Sequence, residues 1–294
     1  MKRFFCIVFL CAASTSWAQL EHPKASPFAS IEQKVGLSKI SIEYSRPSAK
    51  GRHIFGTDNL GLPGVVPYGR IWRVGANEST KITFDTDVIV NRSRLLKGTY
   101  ALYAFPAATE WEIVFHANTA HWGDGRERYD PSEDVLRVTV TPEKVLSYQE
   151  NFMISFDAIT HDSAEMVLQW ANTRITVPVA FNTPELMEAR IRQKLQDSTT
   201  AQTYYEIARY YQEQGVKTAI ALDYVNKALD LGGETYYFYR VKSELQAALG
   251  LYRQAVLSAT TSQKISQSLG KDEFVRLNQR NIRNWKKLYG ANTD

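Results

Sequence analysis

Apolar residues change their spacing once along this chain, and that change limits what it can fold into. From about Lys39 to Val179 they recur at every second position, as in Ile40-Ile42-Tyr44, Trp111-Ile113-Phe115 and Phe152-Ile154-Phe156. This spacing turns one face of an extended strand toward a core. Ile82 and Phe84, Val88 and Val90, Tyr100 and Leu102, Leu136-Val138-Val140, Met166-Leu168-Trp170 and Ile175-Val177-Val179 continue it, giving about ten strands. The breaks carry turn chemistry: Asp85-Thr86-Asp87, Asn91 to Arg94, Lys97-Gly98, Pro106 to Glu110, His161-Asp162-Ser163 and Ala171-Asn172. They are too short for the crossover helices of a parallel sheet, so an antiparallel β-sandwich is predicted. Gly98-Thr99-Tyr100 is placed like the tyrosine that bonds back to loop backbone in many sandwich domains.

Beyond Asn182 the period becomes helical. Thr183-Pro184-Glu185 offers a cap, a proline and an acid for a first turn. Tyr205, Ala208, Tyr211 and Gln212 share one helix face, Gly215 ends that helix, and Ala221, Tyr224, Ala228 and Leu231 stripe the next. Glycine recurs from Gly215 to Gly250 and alanine from Ala221 to Ala255, a repeat spacing. The segment Asp272 to Tyr289 reads as a capping helix, with Phe274, Leu277, Ile282, Trp285 and Leu288 mostly on one side. Two domains follow, a β-sandwich over 19–181 and an all-α helical-repeat domain over 182–294.

The first 18 residues read as a signal peptide. Lys2 and Arg3 precede the apolar run Phe4 to Ala13, and Ser16-Trp17-Ala18 places small residues where a signal peptidase reads, so cleavage is predicted before Gln19. The run is too short to cross a bilayer, which predicts no transmembrane segment after cleavage and a periplasmic or secreted destination. Both cysteines, Cys6 and Cys11, fall inside this signal, so the processed protein is expected to hold no disulfide and no thiol ligand. The formal charge of +4 drops to about +2 once Lys2 and Arg3 are removed, and no nucleic-acid partner is implied.

One stretch of the front half does not alternate. It comprises Ser45-Arg46-Pro47-Ser48-Ala49-Lys50-Gly51-Arg52-His53-Ile54-Phe55-Gly56 and Val66-Pro67-Tyr68-Gly69-Arg70-Ile71-Trp72-Arg73-Val74-Gly75-Ala76-Asn77-Glu78-Ser79-Thr80. With Lys97-Gly98-Thr99-Tyr100-Ala101-Leu102-Tyr103, Trp111, Trp122-Gly123 and Asp134-Val135-Leu136-Arg137-Val138, it resembles domain-of-unknown-function family 2911, found mostly in exported proteins of Bacteroidetes-type bacteria. The resemblance spans roughly Pro27 to Pro178 and implies no activity, ligand or catalytic residue. Thr57 to Gly64 lengthens a loop relative to the family pattern, and His116 and His121 stand where the family more often shows other polar residues. The helical tail resembles a degenerate tetratricopeptide repeat. Tyr204, Ala208, Tyr211, Gly215, Ala221, Tyr224 and Ala228 carry the first unit; Tyr239, Ser243, Gly250, Tyr252 and Ala255 carry the second. One extra residue between Gly215 and Ala221 alters the first hairpin turn.

The candidate ligand residues are Arg46, Lys50, Arg52, Tyr68, Trp72, Arg73, Asn77 and Glu78. Guanidinium forks beside aromatic faces suit a saccharide or small anionic ligand, since arginine donates two parallel bonds while a ring covers an apolar face. The competing reading is that these arginines brace a long loop through its carbonyl groups. Tyr204, Tyr211, Tyr236 and Tyr239 are the candidates for docking a protein or peptide partner, because tyrosine offers apolar area and a hydroxyl. His116, His121 and Asp124 with Glu78 are the one conceivable metal set, but strand parity turns His116 away from Phe115, and both histidines are expected as solvated surface. No cofactor and no metal is expected. The sequence therefore favours a non-catalytic binding protein. The alternative is an envelope hydrolase using Glu78 with an acid of the 124–134 loop.

Overall fold

The structure, a computed structural model, describes residues 22–123, 128–197 and 199–291. The signal-peptide segment 1–18 lies outside them. The chain forms two compact units, Met1–Thr183 and Pro184–Asp294. No described helix is long and apolar enough to cross a membrane.

The first unit holds ten described strands: β1 (Phe28–Val35), β2 (Ser38–Ser45), β3 (Thr80–Phe84), β4 (Val88–Val90), β5 (Ser93–Leu95), β6 (Gly98–Pro106), β7 (Trp111–His116), β8 (Asp134–Val140), β9 (Glu143–Asp157) and β10 (Ser163–Phe181). They build two antiparallel sheets, in the orders β1-β2-β3-β6-β7-β8 and β5-β4-β10-β9. The alternating residues point where their spacing requires: Ile40, Ile42, Ile82 and Ile113 of one sheet share a core with Ile154, Leu168, Ile175 and Val177 of the other. Tyr100 Oη donates to the Leu96 carbonyl at 2.8 Å, closing the loop back onto the strand as its placement predicted.

Three features depart from the alternating pattern. β1 pairs along its whole length with β2 as an edge strand; Ala29, Ile31 and Val35 face the core, but Gln33 interrupts their apolar rhythm. Ala171-Asn172 makes no turn. β10 runs straight through it as one strand, and the register to β9 shifts on either side of Ala171, whose φ is +49°; the turn chemistry marks a bulge. Finally, β6 and β7 are covered on both faces. Ala101, Tyr103 and Val114 point away from the main core and form a second, small core with Ile71, Phe105 and Tyr129.

The second unit contains six described helices: α1 (Thr183–Asp197), α2 (Ala201–Gln214), α3 (Thr218–Asp230), α4 (Tyr236–Ala248), α5 (Tyr252–Ser268) and α6 (Asp272–Ala291). Tyr205, Ala208 and Tyr211 of α2 meet Ala221, Val225 and Ala228 of α3 and Phe238, Val241 and Leu245 of α4 in its core. Gly215 caps α2 in the left-handed conformation, and Lys217 takes the same conformation (φ +49°), which absorbs the extra residue of that turn. Thr183 does not cap α1 as expected: its Oγ1 is buried without a hydrogen-bond partner. The side chain sits instead against Gly36, where an added Cβ would come within 2.4 Å of that hydroxyl.

Candidate functional site

The non-alternating stretch is tied to β6 and β9, and backbone bonds fix its course. Trp72 exchanges both backbone hydrogen bonds with Ala104 at 2.8 Å, and Phe55 pairs with Val66. This seats Phe55 and Trp72 among Trp111, Phe152 and Trp170, with Trp72 stacked on Trp170 at 6.1 Å. Val74, a β-branched residue, is held at φ +52°, a strained backbone; the Thr80 hydroxyl donates to its carbonyl. Against this aromatic box lies a cleft of about 480 Å³. Trp72 and Trp170 line it together with Lys50, Arg52 and Arg73.

The candidate residues are thus brought together only in part. Lys50, Arg52, Trp72 and Arg73 share the cleft. Arg46 does not line it, and its Nε donates to the Phe152 carbonyl at 2.9 Å, bracing the stretch against β9. Arg52 also braces: Nε donates to the Ala49 carbonyl at 3.0 Å and an Nη to that of Ser48 at 2.6 Å. Tyr68 is half exposed and its ring packs over Gly56. Asn77 and Glu78 line a different cleft, of about 580 Å³, with Phe28 and Trp122. Asn77 is committed to the Ser26 carbonyl and the Ser45 hydroxyl. Glu78 pairs with Lys81 at 2.8 Å, and that hydrogen bond, then the lysine charge, holds its carboxyl below the ordinary carboxylate range.

Of the partner candidates, Tyr236 lines a groove of about 570 Å³ on the helical unit, with Tyr205, Tyr237 and Phe274 and the ion pairs Arg209–Glu213 and Arg240–Glu244. Tyr211 is buried, with its hydroxyl on Glu188, and offers no ring to a partner. Tyr204 stacks on Tyr224, and Tyr239 reaches Glu234; neither lines the groove.

The histidines are where the sequence reading fails. His116 is 0% exposed and His121 8%, so neither is solvated surface. His116 does point away from Phe115, as parity requires, but that face of β7 is covered by the chain around Tyr129, whose ring lies 5.1 Å from the imidazole. His116 Nδ1 lies 2.9 Å from Asp134 Oδ1. Tyr129 Oη and Arg137 Nε donate to the other oxygen of Asp134 at 2.7 and 2.8 Å. Burial first, and the Asp134 carboxylate second, push the Tyr129 hydroxyl far above its usual range. His121 Nδ1 meets Tyr103 Oη at 3.0 Å, and burial also raises the Tyr103 hydroxyl. Glu133, placed by a short 3-10 turn at Pro131–Glu133, brings Oε2 to 3.3 Å from His116 Nε2. Glu78 does not join this cluster, because it belongs to Lys81; Asp124, like Glu127, lies outside the described residues. The signal that could have found it was the unbroken burial of β6 and β7, written as Tyr100-Ala101-Leu102-Tyr103-Ala104 beside Ile113-Val114-Phe115.

The family described as protein of unknown function (DUF2911) matches residues 26–179, more than half of the chain. The chain belongs to the DUF2911 family. Lys50, Arg52, Trp72 and Arg73, and all residues of the histidine cluster, lie within the DUF2911 segment, whereas α1 to α6 lie beyond it. No curated protein and no solved structure matches the chain.

Proposed function

We propose that this DUF2911 protein is an exported, non-catalytic binding protein whose β unit holds a small anionic or acidic saccharide ligand, while its helical unit docks a protein or peptide partner. The observation that carries the reading is the cleft in which Lys50, Arg52 and Arg73 ring two tryptophans. Cations beside aromatic faces select a flat or ring-shaped body bearing a carboxylate. The strained backbone at Val74 sits directly after Arg73, where a pre-formed site holds its shape before the ligand arrives.

For the tail, a degenerate tetratricopeptide-like repeat is supported by helix spacing: α2 and α4 begin at positions 201 and 236, α3 and α5 at 218 and 252. Stacked pairs of this kind present one continuous groove, and here Tyr205, Tyr236, Tyr237 and Phe274 give it an aromatic wall. Export, to a periplasm or beyond, is supported by the signal-like run Phe4 to Ala13 and the confinement of both cysteines to it. The hydrolase alternative draws less support. Glu78 is tied to Lys81 at 2.8 Å, and Asp134, an acid of the 124–134 loop, is engaged by Tyr129, Arg137 and His116.

Calorimetric titration of the purified protein tests the cleft, with glucuronate as the acidic sugar and glucose as the neutral one. Glucuronate is expected to bind about tenfold or more tightly than glucose, a preference that Lys50→Gln diminishes, since a charge-assisted bond contributes roughly 1.5–3 kcal/mol. Equal affinity for both sugars, or no saturable heat with either, refutes the ligand reading. In envelope extract a photo-reactive residue at Tyr237 should capture a polypeptide that one at the exposed Leu257 does not; equal capture refutes docking in the groove.

A further inference from the structure

His116, His121 and Glu133 each offer one ligand atom, and these atoms lie within 4.8 Å of one another. We propose that these three side chains bind one divalent transition-metal ion of the zinc class, a site independent of the anion cleft.

Three observations carry this. The first is His116 Nε2, which is buried and has no hydrogen-bond partner although Glu133 Oε2 is only 3.3 Å away. An unpaired buried nitrogen is costly, and the two atoms lie close without making a hydrogen bond. Ligand atoms about 2.1 Å from a tetrahedral ion stand about 3.4 Å from each other, so this separation fits two adjacent ligands of one ion.

The second is the support behind the imidazoles. His116 Nδ1 is held by Asp134, the carboxylate behind a histidine that fixes the ring with the Nε2 lone pair turned to the metal. Asp134 is itself positioned by Tyr129 and Arg137, and Arg137 reaches on to Glu112 at 3.1 Å. His121 is oriented through Nδ1 by Tyr103. Glu133 is steadied by Asn118, whose Nδ2 donates to Oε2 at 3.3 Å.

The third is the donor chemistry. Two imidazoles and one carboxylate suit zinc and its neighbours in the first transition row; calcium and magnesium require oxygen donors. Three protein ligands leave a fourth position for water or another ligand, and Glu133, with 40% of its side chain exposed, marks the side that meets solvent.

The experiment uses the untagged full chain as purified, stripped with chelator and titrated with zinc chloride against a chromophoric chelator. One equivalent of zinc per chain is expected, with calcium and magnesium in large excess failing to displace it. Glu133→Gln, a shape-preserving change at a half-exposed position, should weaken zinc by tenfold or more. Cobalt(II) should give the intense visible ligand-field bands of a four-coordinate site and lose them in His121→Gln. Should either variant fail to fold, the wild-type melting temperature decides: zinc raises it, because an ion that binds only the folded chain stabilises it, and calcium does not. A folded wild-type chain that takes up no zinc, a melting temperature that zinc leaves unchanged, or zinc affinity untouched by Glu133→Gln each overturns the proposal.

Discussion

Tyr100 shows how a single side chain closes a loop in this protein. Its hydroxyl reaches back four residues to the Leu96 carbonyl while its ring stays in the sandwich core. Tyr100→Phe keeps the ring and deletes the bond, so the unfolding free energy should fall by about 1 kcal/mol. Urea denaturation with an unchanged slope would report it; an unchanged midpoint would show that the bond contributes nothing. The chemistry at this residue was legible because its partner is local. For Arg46 it was not, because the carbonyl it braces belongs to Phe152 on another strand. His116 lies between these cases. Strand parity gave its direction correctly, but the residues that cover that direction, Tyr129 and Asp134, come from a loop and a strand whose approach no local pattern announces.

At the scale of elements, apolar spacing located those strands and helices that bury one face. It passed over β1, an edge strand, and β5, a strand of three residues that follows a hairpin turn with Asn91 and Arg92 both at positive φ. It also read the bulge at Ala171 as a turn, since both use the same residue types. In the helical unit, Ser262 is a hydroxyl buried within α5, and its partners account for it. Its Oγ donates to the Tyr236 carbonyl at 2.6 Å and accepts from Asn278 Nδ2 at 2.9 Å, tying α5 to α4 and α6 within a buried seam. Ser262→Val would leave the buried Asn278 amide without its acceptor, while the Tyr236 carbonyl keeps its place in the α4 ladder, and should destabilise the helical unit by about 1–3 kcal/mol. Far-UV thermal melts measure this; a loss below about 0.5 kcal/mol would mean that the seam adjusts around the change.

For the whole molecule, the placement of cysteine yields a prediction that does not depend on any ligand. If the segment ending at Ala18 is removed on export, the remaining chain contains no sulfhydryl, because Cys6 and Cys11 leave with it. Mass spectrometry of the exported protein should then find Gln19 at the N-terminus, and its unfolding curve should be the same with and without reductant. A product that retains Cys11, or stability that falls on reduction, contradicts the export reading. With no disulfide to constrain it, the processed chain must rely on its cores, and these form separately: one between the two sheets, one among α2, α3 and α4.

What the sequence determined alone was the division into a pleated unit and a helical one, and the membership of the main cores. Both follow from side-chain spacing, which is a local property of the backbone. The tertiary structure decided which polar groups meet. It drew Lys50, Arg52 and Arg73 to one cleft and sent Asn77 and Glu78 to another, and it buried His116 and His121 beside Glu133. Those meetings depend on sheet register and on the path of loops across a sheet face, and a one-residue slip in either would part the same side chains.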